Sequence, residues 1–323
     1  DNILHIPKAP HQFAEEEGAT QQSLLEVLER SRAKLFKERE KRVKPGLDDK
    51  ILTSWNGLMI GSMALAGRAE GGAAYLEAAR RAADFVLTKM RGERGLLRTH
   101  RVGQSRLNAY LDDYAFMMMG LVDLYESSFE MRWLDEAAAL AREAIARFWD
   151  EREGAFFFTA KDHEELIVRK KTAQDGAIPS GNSVAALALL RLGKLTGEAT
   201  FTETGQAIIK VYGEFLDRVP GAFHMMLVAL DFDRGAPVEG AIAGDPASAD
   251  TRAALDVVNS LFVPNKVIAL KGSPGDGEIE EKIPLLEGKE TLEGATVVYL
   301  CRNYTCDAPL TDLAAVRERL GEM

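Results

Sequence analysis

The sequence predicts a mainly α-helical fold: an incomplete (α/α) toroid of helical hairpins over 1–236, followed by a small α/β unit over 237–323. Three observations predict it. Helices with one wet face alternate with helices that are apolar all round. Acidic turns introduce three of the apolar helices, whose equivalent positions Trp55, Tyr114 and Asn182 lie 59 and 68 residues apart. After Pro237 the helical pattern gives way to strand, helix and strand.

Taken in order, the segment from about 20 to 42 sets Leu24, Leu25, Leu28, Leu35 and Phe36 at helical spacing among charges,. Leu47-Asp48-Asp49-Lys50 then leads into 55–66, a helix without a charged residue. A helix apolar on every side must be covered on every side, and its small residues admit close neighbours. Residues 73–90 return to the amphipathic kind through Leu76, Ala79, Ala83, Val86 and Met90. Gly95-Leu96-Leu97-Arg98 reads as a short strand. Leu111-Asp112-Asp113-Tyr114 opens the second apolar helix, and 132–149 is its wet companion. Gly154 to Thr159 reads as another hairpin-like strand. Asp175-Gly176 precedes Ser180-Gly181-Asn182 and the apolar run 182–190, followed by the amphipathic 199–218 and a last apolar segment, 223–232. Self-similar units of this kind indicate repeated supersecondary structure. An open solenoid would not need inner helices this uniformly apolar, which favours an inner ring within an outer one.

Beyond Pro237, Val238–Ala243 is a strand, Ser248 caps a helix to about Phe262, and Lys266–Leu270 is a second strand,. Together they suggest a parallel βαβ unit. The flexible-loop composition of 271–277, a third strand at Thr296–Leu300 and a helix from Thr311 complete the chain,.

The chain has 323 residues, a formal charge of −10 and a pI near 5.2, which argues against binding to a phosphate backbone,. Lys34, Lys37, Arg39, Lys41, Arg42 and Lys44 are interleaved with Glu38 and Glu40, the pattern of a solvated helix face rather than a nucleic-acid patch,. No run approaches the ~20 apolar residues of a membrane span. The opening Asp1-Asn2-Ile3-Leu4-His5-Ile6-Pro7 resembles a strand without an initiator Met, and predicts that the chain begins inside a longer protein,. Cys301 and Cys306, five apart, match neither a redox nor a zinc spacing, so free thiols in a reducing cytoplasm are expected,.

Asp48-Asp49-Lys50-Ile51-Leu52-Thr53-Ser54-Trp55-Asn56-Gly57-Leu58-Met59, Leu111-Asp112-Asp113-Tyr114 and Pro179-Ser180-Gly181-Asn182-Ser183 carry a resemblance, as do Ala243-Gly244-Asp245-Pro246 and Cys301 to Cys306. Over essentially its whole length the chain resembles the C-terminal region of a family of thioredoxin-domain-containing proteins related to spermatogenesis-associated protein 20. The resemblance implies a toroid similar to six-hairpin glycosidases and N-acylglucosamine 2-epimerases. It also implies partners within the same polypeptide, an N-terminal thioredoxin-like domain and further hairpins. It implies no established reaction.

The candidate chemistry lies at the starts of the inner helices. Asp49 and Asp113 are the candidate catalytic carboxylates, able to act as general acid and base on a sugar-like small molecule. The same residues can cap helix N–H groups and complement the dipole. Asp48, Trp55, Asn56, Asp112, Tyr114, Asp175, Ser180, Asn182 and His224 are candidate binding residues: rings stack on sugars, and amides and carboxylates bond hydroxyls,. His100 sits in a hairpin insertion, while His5, His11 and His163 fall in loops. No cofactor and no metal are expected, since no metal-binding spacing occurs. A carbohydrate-active or carbohydrate-binding toroid, glycosidase-like or epimerase-like, is therefore the leading expectation. A non-catalytic scaffold beside a thioredoxin-like domain is the alternative.

Overall fold

A computed structural model of the chain describes residues 5–164, 167–272, 277–303 and 305–323. They divide into two compact units, Asp1–Asp49 and Lys50–Met323.

In the first unit α1 (Pro10–Glu16) packs on α2 (Gln21–Arg39). Thr20 caps α2 by accepting from the Ser23 N–H at 3.1 Å,. The predicted amphipathic helix forms, yet Leu25, Leu28, Leu35 and Phe36 on it are exposed. Asp48 and Asp49 lie in an exposed stretch without regular structure.

The second unit opens with β1 (Ile51–Leu52), α3 (Thr53–Gly67) and α4 (Ala73–Lys89). Three strands follow, β2 (Arg91–Gly92), β3 (Gly95–Arg101) and β4 (Gln104–Asn108), with β3 pairing antiparallel to β1, β2 and β4. Then come α5 (Leu111–Ser128), α6 (Met131–Phe148), α7 (Gly181–Thr196), α8 (Ala199–Arg218) and α9 (His224–Arg234). The nearly uncharged helices α3, α5, α7 and α9 pack one against the next as an inner layer. Each of α4, α6 and α8 lies outside the inner helix that precedes it, its apolar stripe inward and its charges in water,. This is the hairpin arc of an (α/α) toroid, as the alternation predicts.

Glycine sets how closely the inner helices approach. A Cβ on Gly57 would stand 2.5 Å from the Phe116 carbonyl carbon and 2.6 Å from the Met117 nitrogen, so α3 meets α5 backbone to backbone. The core between them, with Ile60, Phe116, Leu121 and Tyr125, is fully buried.

The chain ends with β5 (Val238–Ala243), α10 (Ala249–Ser260), β6 (Lys266–Lys271), α11 (Gly277–Lys282), β7 (Val297–Arg302), β8 (Thr305–Cys306) and α12 (Leu313–Gly321). Strands β5 and β6 are parallel, as the βαβ reading requires, while β7 runs antiparallel to β5. One face of this sheet, through Ile242, Ile268 and Leu300, packs with Val258 of α10 and Leu320 of α12. Alternate residues, Ala241, Val267, Ala269 and Val297, join the helical core instead. Both faces are covered, which explains why β5 is buried at all six positions,.

Three expectations need correction, the first being His11, which lies in α1 rather than in a loop. Residues 154–159 form no ladder; Phe156 makes only an isolated bridge to Trp149, and the Phe158 N–H donates to the Lys170 carbonyl at 2.8 Å. Cys301 and Cys306 are joined in a disulfide rather than free, because the tight reversal between β7 and β8 sets them directly opposite. The Gly-rich linker falls partly outside the described residues, at 273–276.

Candidate functional site

Side-chain carboxylates stand at the N-terminal ends of all four inner helices, that of α5 coming from its own first turn. Asp113 in the first turn of α5 accepts from the Ser54 N–H of α3 through Oδ1 and from the Tyr110 N–H through Oδ2, both at 2.9 Å. Asp112 faces the start of α7, close enough to the Gly181 N–H for that donor to pull its pKa down. Asp175 accepts from the Ser180 N–H through Oδ1 and from the Met225 N–H of α9 through Oδ2, both at 2.8 Å. The first N–H groups of a helix lack partners within it, and a carboxylate there also complements the dipole. A Cβ on Gly181 would stand 2.5 Å from Asp112 Oδ1 and 2.9 Å from Leu111 Cγ, so any side chain there would displace this carboxylate.

The two adjacent aspartates differ in burial and partners, although burial pushes the pKa of both upward. Asp113 is fully buried, with both oxygens committed to backbone donors and Arg98 Nη1 3.4 Å from Oδ2. Asp112 is half-buried. Burial first, and then the charge of Asp113, push the Asp112 pKa up to about 6, against the pull of Arg98 and the Gly181 N–H,. Asp112 therefore exchanges a proton near neutrality, which an ordinary surface aspartate does not.

Around this pair stand residues from the insertions between hairpins. Arg98 of β3 lies 4.8 Å over the Tyr110 ring, and Tyr110 stacks on Phe158 with ring centroids 4.9 Å apart. His163 meets the same tyrosine edge-on at 5.1 Å. Burial, with Arg147 adding to it and Asp162 opposing, holds the His163 imidazole below its usual pKa. Its Nε2 is buried without a hydrogen-bond partner among the described residues. The sequence offered no signal for Arg98 or for the loop histidine: both arrive through tertiary contacts.

The other candidates separate into exposed and committed groups. Trp55, in the first turn of α3, is 61% exposed, and the neighbouring Asn56 donates to the Leu52 carbonyl at 2.9 Å. His224 is exposed at the start of α9. Tyr114 is buried; its hydroxyl accepts from the Leu96 N–H at 3.1 Å and sits 3.2 Å from Glu143 Oε2. Asn182 is buried and holds the 154–159 segment, accepting from the Phe156 N–H and donating to the Phe156 and Thr172 carbonyls at 2.8–2.9 Å. Ser180 caps α7 through the Ser183 N–H at 3.1 Å. Asp48 and Asp49 belong to the first unit. Among the described residues no group of three or more His, Cys, Asp or Glu is placed to hold a metal ion. Nor is any described helix long and apolar enough to cross a membrane.

No protein-family model matches the chain. A cellobiose 2-epimerase from Bacillus thermoamylovorans aligns with a TM-score of 0.45 at 14% identity, over 80% of this chain and 66% of that one. Spermatogenesis-associated protein 20 of Mus musculus is 34% identical over 332 residues, 99% of this chain and 42% of the relative. The Homo sapiens protein of that name is 33% identical over 330 residues, again 99% of this chain and 42% of the relative. The chain thus spans less than half the length of the curated relatives it matches. Along almost its whole length, the chain is a homologue of spermatogenesis-associated protein 20.

Proposed function

We propose that the N-terminal end of the inner layer binds a carbohydrate and moves a proton on it through Asp112. The arrangement that carries this reading is a half-buried carboxyl beside a fully buried one already committed to backbone donors, a setting that pushes the Asp112 pKa up. General acid–base catalysis is most effective when the pKa lies near the working pH. Asp113, expected as a catalytic group, instead orients two helix ends and raises its neighbour by its charge. His163, its pKa held below the usual value by burial and its Nε2 without a hydrogen-bond partner among the described residues, is the second candidate proton acceptor at this end. The exposed indole of Trp55 supplies a flat apolar face of the kind on which sugar rings stack,. Asn182, Ser180 and Asp175 support the end from behind, and Asp49 has no part in the proposed step.

A screen of mono- and disaccharides by thermal shift tests it. A binding sugar is expected to raise the melting temperature, Trp55→Ala to abolish the shift, and Asp112→Asn to keep binding while losing turnover. If no sugar shifts the melting temperature, the carbohydrate reading is wrong.

One observation favours a second reading, a non-catalytic scaffold. Asp113, Asp175 and Asn182 all direct their acceptors at backbone N–H groups, which is what fastening alone requires. In that case the chemistry resides in the part of the longer relatives that this chain does not span. Asp112→Asn would then gain stability and lose nothing.

A further inference from the structure

The opposite end of the inner layer holds a second cavity, independent of the sugar reading. The last turns of α3 and α5, the middle of α7, α9 and the α10–β6 loop surround an open space of about 1240 Å³. Its floor is an ion network. Arg191 donates to Asp123 Oδ1 at 2.7 Å, and its Nη2 lies 3.2 Å from Glu126 Oε1, in ion-pair range although off the line of a hydrogen bond. Burial opposes the Arg191 charge, but Glu126 and Asp123 outweigh it and hold its pKa raised. Arg68, at the C-terminal end of α3, donates to Ser127 Oγ at 2.7 Å and to the Asp123 carbonyl at 3.3 Å, and lies 3.6 Å from Glu126 Oε2. Two guanidinium groups thus meet two carboxylates, and the floor is neutral.

Lys266 adds a charge that the floor does not balance. Its Nζ donates to the Val258 carbonyl at 2.7 Å and the Leu261 carbonyl at 3.5 Å, both uncharged acceptors at the end of α10. Among the described residues no carboxylate lies within ion-pair distance of it. Burial and then the charge of Arg68 hold its pKa down, with Glu126 opposing, which places the two cations within each other's field,. Arg68 Nη1 makes no hydrogen bond among the described residues, so donors remain on both sides of the cavity. Glu126 meets Arg68 but lies outside ion-pair distance of Lys266, so an oxyanion entering the cavity meets a cation that the floor leaves unbalanced,. The walls above are apolar, with Leu65 49%, Val228 46% and Phe262 92% exposed. At the rim, the exposed Glu70 and Asp256 disfavour polyanions and select for a ligand with one charged head,.

We propose that this cavity binds a small organic anion, its carboxylate or phosphate held between Arg68 and Lys266 and its apolar body against Leu65, Val228 and Phe262. Isothermal titration calorimetry of the whole chain tests this with benzoate and phenyl phosphate as probes and benzyl alcohol as the neutral control. The two anions are expected to bind about tenfold or more tightly than benzyl alcohol, the difference a charge-assisted hydrogen bond makes. Their ratio identifies the preferred head group. Lys266→Gln is expected to lose that advantage, and Lys266→Arg to keep it. Because Lys266 also tethers the end of α10, Val228→Glu serves as a second variant, placing a carboxylate on an exposed wall position and abolishing anion binding. Asp112→Asn, at the other end, should bind both anions as the wild type does. Benzyl alcohol binding as tightly as benzoate would overturn the proposal. So would anion binding unchanged in both Lys266→Gln and Val228→Glu, or no binding of either anion at ~20 mM, well above the mM range expected of such contacts.

Discussion

Replacing Asp112 by asparagine should make the protein more stable at pH 7 and no more stable at pH 4. A carboxyl whose folded pKa stands above its unfolded value holds its proton more tightly in the native state. The stability it contributes is complete below about pH 3.8 and is lost as pH rises through about 6. The interval of about two pKa units corresponds to about 3 kcal/mol at 1.36 kcal/mol per unit. Asparagine is neutral at every pH, and its Oδ1 can still face the Gly181 N–H. The variant should therefore exceed the wild type by about 1–3 kcal/mol at pH 7, a gain that vanishes towards pH 4. All three tryptophans, Trp55, Trp133 and Trp149, lie in the second unit, so urea unfolding followed by tryptophan fluorescence reports that unit directly. Titrating groups that do not interact with Asp112 contribute alike to both proteins and cancel in the difference. A pH-independent difference, or a variant less stable than wild type at pH 7, would refute the reasoning.

Gly57→Ala forces a methyl group into the Phe116–Met117 backbone and should cost about 2–3 kcal/mol by overpacking, read as a lowered melting temperature with native helix content,. An unchanged melting temperature would show that α3 and α5 are not in backbone contact. Asn182→Ala strands the Phe156 N–H and two carbonyls in a buried setting, so about 3 kcal/mol should be lost, with faster hydrogen exchange at Phe156 as its signature,.

Much of the fold was legible because its determinants are local. Apolar periodicity marks α4, α6 and α8, and uncharged runs containing Gly57 and Gly61 mark the inner helices. Ser180 and Ser248 cap the helices that their positions announce. What was not legible depends on contacts distant in sequence. Asp113 reads as a cap of its own helix, but its other oxygen fastens Ser54, 59 residues away. The adjacent Asp112 looks equivalent in sequence, and only its shallower burial and its different partners separate it from Asp113. Arg98 and His163 come from insertions whose return to the inner layer no periodicity encodes. The strand-like composition of Phe156 to Phe158 was overridden because Asn182 takes up the Phe156 backbone groups, leaving them unavailable for a ladder. The disulfide depends on strand register, which a spacing of five residues does not specify.

The central claim is that one carboxyl at the N-terminal end of the inner layer titrates at about 6 while its neighbours serve as caps. Carbon-13 NMR titration of aspartate carboxyls, with Asp112→Asn used to assign the resonance, measures this directly. The account predicts that the Asp112 resonance titrates with a midpoint at about 6. A midpoint near the ordinary aspartate value of about 3.9 would contradict it.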